Sequence, residues 1–129
     1  MPKSAIICVD DEVVILESLK KQLKRKFEDR FVYEVAESAE EAWEIIEELQ
    51  ADNISIIVIV SDWLMPGTKG DEFLIQINQR FPQVVKVMLT GQADETAIEK
   101  AKTEANLHAC LYKPWTEDDL AGIITTAIN

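Results

Sequence analysis

The chain predicts a doubly wound α/β fold, flavodoxin-like, with a five-stranded parallel sheet in the order 2-1-3-4-5 and helices on both faces. Three observations carry this expectation. Short apolar runs alternate strictly with stretches of helical period, five of each. The third run, 54–60, is nearly all Ile and Val, which suits a parallel strand covered on both sides. Five strands with the most apolar one third fit this order better than a six-stranded dinucleotide fold, and such alternation implies right-handed crossovers.

The elements follow in order. Residues 5–9 are apolar and β-branched, are followed by acidic residues and are too short for a helix, so they read as a buried strand. Ile15, Leu16, Leu19, Leu23 and Phe27 then recur near helical spacing, with Lys20, Lys21, Lys24 and Arg25 between them. Residues 31–36 are a second strand. Ser38 followed by Glu41 matches a capping box, and Ala42, Ile45, Ile46 and Leu49 form the next helical stripe. Strand 54–60 should be central. After a turn containing Pro66, Gly67 and Gly70 come a helix carrying Phe73, Leu74 and Ile77 and a strand over 84–89. A fourth helix, from about Asp94 to Glu104, has a thin stripe of Ala97, Ile98 and Ala101. A strand at 109–112 precedes Pro114, and a last helix from near Thr116 buries Leu120, Ile123, Ile124, Ala127 and Ile128.

With 129 residues and 47% hydrophobic composition, the chain supports one compact domain, taken as 1–129. A net charge of −11, from 24 acidic and 13 basic residues, argues against direct nucleic-acid binding or an anionic membrane surface. No apolar run reaches the roughly 18 residues of a membrane span, and the Met1-Pro2-Lys3 start lacks a secretory layout, so a cytoplasmic location is expected. Cys8 and Cys110 lie in separate strand-like runs and read as reduced core thiols, and His108 reads as a loop residue.

In an open parallel sheet, ligands bind beyond the carboxyl ends of the strands, at the switch point between strands 1 and 3. Here strand 1 runs into Asp10, Asp11 and Glu12, strand 3 ends at Asp62, strand 4 at Thr90-Gly91 and strand 5 at Lys113-Pro114. Carboxylates gathered this way repel unless a cation neutralises them, and oxygen ligands favour Mg²⁺. Lys113 and Thr90 suit phosphate oxygens. Turns after strands are often rich in Asp and Thr without any function. Acidic residues on both sides of the switch point, with Lys-Pro at a third strand end, are harder to assign to chance.

These residues carry a resemblance, over essentially the whole chain, to the receiver domains of two-component response regulators, of the chemotaxis-regulator type. The matching motifs are Asp10-Asp11, Asp62 in Asp62-Trp63-Leu64-Met65-Pro66, Thr90-Gly91 and Lys113-Pro114. The resemblance implies that Asp62 is the phosphoacceptor, taking a phosphoryl group from a histidine kinase or histidine phosphotransfer protein. It implies Mg²⁺ held by Asp11, Asp62 and the Leu64 backbone carbonyl, with Asp10 acting directly or through water. Lys113, Thr90 and Gly91 would bind the phosphoryl group, and Thr90 would switch the strand 4, helix 4, strand 5 region. Such a domain phosphorylates and dephosphorylates itself and is not a turnover enzyme. A homodimer through helix 4, strand 5 and helix 5 is an open option.

Cys110 departs from the pattern, since many receivers carry an aromatic residue there that moves with the switch hydroxyl. Tyr112, beside Lys113, should point to the opposite strand face. Leu64 and Gln92 occupy positions that tune phosphoryl lifetime in the family. Trp115 reads either as a partner contact or as a cap on the last helix, and the basic run 20–26 either as a partner surface or as a complement to a helix dipole. Two rivals are a haloacid-dehalogenase-like phosphatase, which would place its nucleophile in Asp-x-Asp after strand 1, and an unphosphorylated pseudo-receiver interaction module. A flavodoxin-like flavin binder would need Ser, Thr and Gly where Asp10 and Asp11 stand.

Overall fold

In the computed structural model, residues 4–91 and 95–128 are described. The element order is β1 (Ser4–Val9), α1 (Val13–Phe27), a 3-10 turn (Glu28–Arg30), β2 (Phe31–Ala36), α2 (Ala39–Ala51), β3 (Ser55–Asp62), α3 (Gly70–Arg80), β4 (Val85–Thr90), α4 (Glu95–Glu104), β5 (Ala109–Tyr112) and α5 (Glu117–Ile128). The strands form one sheet in the order β2-β1-β3-β4-β5, every described pairing parallel, as expected. Boundaries differ from the sequence reading by a residue or two. The largest difference is that β3 extends through Asp62 and β4 through Thr90, so both residues keep strand backbone geometry.

Alternation along the strands sorts the core into two layers. Ile7, Val9, Ile59 and Met88 pack with α2, α3 and α4, while Ile6, Cys8, Val60, Leu89 and Leu111 pack with α1 and α5. With both faces covered, the interior strands carry apolar residues at successive positions, which is why β3 reads as an unbroken Ile-Val run. Helix starts follow local chemistry. Ser38 Oγ accepts from Glu41 N at 3.1 Å to cap α2, and Asp119 N donates to Thr116 Oγ1 at 3.0 Å to open α5. The expected start of α4 at Asp94 lies outside the described residues, as does Gln92.

One sequence expectation changes, and one buried charge was not foreseen. Cys8 is buried, but Cys110 is only partly so and packs against the α3–α4 layer. Burial pushes the Cys8 thiol up to about 12 and also raises that of Cys110. Lys86, on β4 in a layer otherwise apolar, is 1% exposed. Its Nζ donates to Asn78 Oδ1 at 2.8 Å and to Pro82 O at 3.4 Å. Asn78 Nδ2 in turn donates to Glu104 O at 3.3 Å, so one buried ammonium fastens α3 to the C-terminal end of α4.

Burial lowers the Lys86 ammonium titration, so its bond to Asn78 is the main compensation for its removal from water. Asn78→Ala is expected to cost about 2 kcal/mol in urea unfolding by leaving the buried charge nearly unpartnered. Lys86→Met, which removes the charge together with the bond, costs less than Asn78→Ala in the same measurement.

Candidate functional site

The carboxyl ends of β1, β3, β4 and β5 converge on a cleft of about 610 Å³, lined by Asp11, Glu12, Asp62, Trp63, Leu64, Met65, Pro66, Thr90, Gly91 and Lys113. Asp10 stands directly behind it and is fully buried. Its Oδ1 accepts from Glu12 N at 2.8 Å, which turns the chain from β1 into α1 and fixes the carboxylate toward the sheet end. Asp10 Oδ2 meets Lys113 Nζ at 3.0 Å, and Asp62 Oδ1 meets the same nitrogen at 3.1 Å. The Asp10 Oδ2 contact lacks the directionality of a hydrogen bond, so that oxygen is held by charge alone.

Carboxylate oxygens of Asp10, Asp11 and Asp62 lie within 4.8 Å of one another. Asp11 is exposed while Asp62 is 5% exposed, so the cluster opens to solvent on one side only. Burial, then the charge of Asp10, pushes the Asp62 carboxyl up to about 6, against the opposing pull of Lys113. Burial raises Asp10 as well, again opposed by Lys113 and by the Glu12 backbone N–H. Burial works against the Lys113 ammonium, but pairing with Asp10 and Asp62 outweighs it and raises its titration. The site is short of positive charge by its own composition. An all-oxygen set of three clustered carboxylates fits a hard divalent cation such as Mg²⁺.

Thr90 is buried at the end of β4, and its carbonyl accepts from Lys113 N at 2.9 Å, tying the last residues of β4 and β5. A Cβ on Gly91 would sit 3.8 Å from Lys113 Cβ, an ordinary contact, so packing does not demand glycine there. Leu64 is 60% exposed at the rim. Tyr112 is also exposed, as the strand alternation predicts. Asp10, Asp11, Asp62, Leu64, Thr90, Gly91 and Lys113 all stand at this end of the sheet, and Cys110 does not. Cys110 lies three residues back along β5 from Lys113, in the α3–α4 layer.

Gly70 is a site residue that the sequence reading missed, having counted it only as a turn glycine. It opens α3, and Gly70 N donates to Trp63 O at 2.8 Å. A Cβ there would fall onto the Asp62 carbonyl oxygen and 2.8 Å from Trp63 Cα. The backbone of the acceptor strand and the start of α3 therefore touch with no room for a side chain. The signal available in the sequence was a glycine eight residues after Asp62 at a predicted helix start.

Residues 6–125 match the response regulator receiver domain family. The hydrogenase transcriptional regulatory protein HoxA of Cupriavidus necator is 30% identical over 127 residues, covering 98% of this chain. The chain spans only 24% of that relative's length. Among solved structures, the signal receiver domain of an HD domain-containing protein from Pseudomonas fluorescens Pf-5 superposes with a TM-score of 0.85 at 27% identity, covering 98% of this chain and 94% of that one. A CheY-like response regulator receiver domain from Methanospirillum hungatei JF-1 gives 0.82 at 29%, covering 96% and 92%.

A carboxyl raised to about 6 contributes stability that is complete below its unfolded value, near 4, and is lost as pH rises through 6. Asp62→Asn is therefore expected to stabilise the fold by about 1–3 kcal/mol at pH 7.5 and by much less at pH 4, read from urea unfolding at both values. Gly70→Ala is expected to destabilise by about 1–3 kcal/mol in the same assay, because backbone must move to admit the methyl group.

Proposed function

This chain belongs to the response regulator receiver domain family of two-component systems, and from that premise we propose that it signals by accepting a phosphoryl group on Asp62. The observation that carries the reading is the Asp62 carboxylate itself, lining the cleft, clustered with Asp10 and Asp11 and paired to Lys113 at 3.1 Å. The donor is a phosphohistidine on a histidine kinase or histidine phosphotransfer protein. An Asp62 oxygen attacks phosphorus, the P–N bond breaks, and the histidine nitrogen keeps the electron pair. The product is an acyl phosphate on Asp62, which water later cleaves to inorganic phosphate and the free carboxylate.

Asp11, Asp62 and the Leu64 backbone carbonyl would hold Mg²⁺, with Asp10 as a direct or water-bridged ligand. When bound, the ion supplies positive charge to the transferring phosphoryl oxygens and lowers the proton affinity of Asp62. This chain's own residues do the rest. Lys113 exchanges its contact with Asp62 Oδ1 for a phosphoryl oxygen, and the Gly91 backbone and the Thr90 hydroxyl approach the remaining oxygens. Exclusion of water by the buried walls at Asp10 and Thr90 strengthens these contacts.

The readout runs through β4, α4 and β5, as Thr90 moves toward the added charge. Cys110 on β5 is small and partly buried, so the readout here does not depend on an aromatic ring at that position. A homodimer across α4, β5 and α5 belongs to the same proposal. The chain acts as one receiver domain over 1–129 and as a signalling unit rather than a turnover enzyme. A cytoplasmic location belongs to the same proposal; among the described residues, no helix is long and apolar enough to cross a membrane. Since the matched curated relative is a transcriptional regulatory protein about four times as long, we place this receiver within a longer regulator of that kind.

Incubation with acetyl phosphate and Mg²⁺, followed by intact mass measurement, is expected to add one phosphoryl group. Asp62→Asn and chelation abolish the adduct, and Lys113→Ala slows its formation by roughly 10²-fold, the scale of one lost charge-stabilising contact. No adduct with any phosphodonor, or steady turnover of phosphate esters, would overturn the assignment.

A further inference from the structure

The contact between Lys113 and the two carboxylates requires that the root of a long, flexible side chain be held still. β5 is a four-residue strand paired to β4, and Lys113 is the first residue beyond it. Within the sheet its anchor is the bond from its own N–H to Thr90 O. Downstream, the chain is fastened to α1 twice. Trp115 Nε1 donates to Gln22 Oε1 at 2.7 Å, a part-buried bond linking residues 93 apart in sequence. Two residues on, Arg25 Nε and Nη2 donate to the Glu117 carboxylate at 3.0 and 2.9 Å.

α1 is also the helix that begins directly after Asp10, Asp11 and Glu12. The acidic arm of the site and the lysine arm leave the sheet on strands separated by β3 and β4, yet both are tied to this one helix. The start of α5 needs no help from Trp115, because Thr116 Oγ1 already accepts from Asp119 N. The Arg25–Glu117 pair is exposed, at 63% and 40%, and is a weak tie in water. The Trp115–Gln22 bond is the shielded one, with the indole packed against the α1–α5 layer.

We propose that Trp115 and Gln22 are positioning residues for the reaction at Asp62, forming a brace that fixes Lys113 relative to the acidic pair. The inference rests on the phosphoacceptor reading and adds to it the element that sets the lysine's reach. It also accounts for one feature of the sequence, the Trp after Lys-Pro, whose indole is held by Gln22 on α1.

The test compares Gln22→Met, which keeps the length of the side chain but cannot accept the indole N–H, with Gln22→Glu, which can. Phosphorylation by acetyl phosphate is followed by intact mass, Mg²⁺ affinity by calorimetry, unfolding midpoint by urea, and exchange of the Lys113 amide by NMR. The Met variant is expected to phosphorylate roughly tenfold more slowly, well inside the 10²-fold that a 1 Å misplacement can cost, and to exchange the Lys113 amide faster. Its Mg²⁺ affinity stays within error, its unfolding midpoint falls by no more than the loss of one hydrogen bond entails, and the Glu variant recovers the rate. Equal rates in the Met variant and the unaltered protein overturn the proposal, as does a loss that Glu fails to rescue or one that comes with a fall in the unfolding midpoint far beyond the loss of a single hydrogen bond. If the unaltered protein takes no phosphoryl group, the phosphoacceptor reading fails by itself, and the brace is decided by Lys113 amide exchange: faster in Met alone supports it, unchanged overturns it.

Discussion

Everything at the carboxyl end of this sheet is arranged around one ammonium shared by two buried carboxylates. Lys113 Nζ stands about 3 Å from both Asp10 and Asp62, which are almost wholly removed from water. The lysine favours the ionised form of both acids against their burial, joined at Asp10 by the Glu12 backbone N–H, and pairing with them raises its own titration in turn. With Asp11 added, three carboxylates face one ammonium, so the resting site keeps an excess of negative charge that invites a divalent cation and then an anion.

That triad can exist because a parallel sheet delivers unrelated stretches of sequence to one edge. Asp10, Asp62, Thr90 and Lys113 are far apart along the chain, and each stands at or just past the end of a strand. The strands are held in register by side chains that pack alternately into two helical layers, so the geometry of the site depends on a core that contains none of its charged residues. Gly70 shows the tolerance involved. Here α3 begins against the backbone of the acceptor strand with no space for a methyl group.

Sequence periodicity made the strand order and the strand-end residues legible, because a buried parallel strand and an amphipathic helix differ in period and each element here is long enough to display it. Asp10, Asp11, Asp62, Thr90 and Lys113 could be placed together once the strand order was fixed. What remained hidden was tertiary. Nothing local distinguishes Lys86, only 1% exposed, from a surface lysine at a strand start, since its partner Asn78 lies on another element. Trp115 could be read as a cap or as a contact because its hydrogen-bond partner is 93 residues away. The half-exposure of Cys110 follows from its place on the edge strand, which composition alone does not reveal.

The clamp from Lys86 through Asn78 to Glu104 O ties the C-terminal end of α4 to α3 and β4. A rod held at one end is a lever. Ten residues at 1.5 Å each make an arm of about 15 Å, so a tilt of a few degrees about Glu104 moves Glu95 by roughly an ångström while hardly disturbing the anchor. In this molecule the anchored end of that arm is tied, through Asn78, to a buried lysine at the far end of β4 from Thr90.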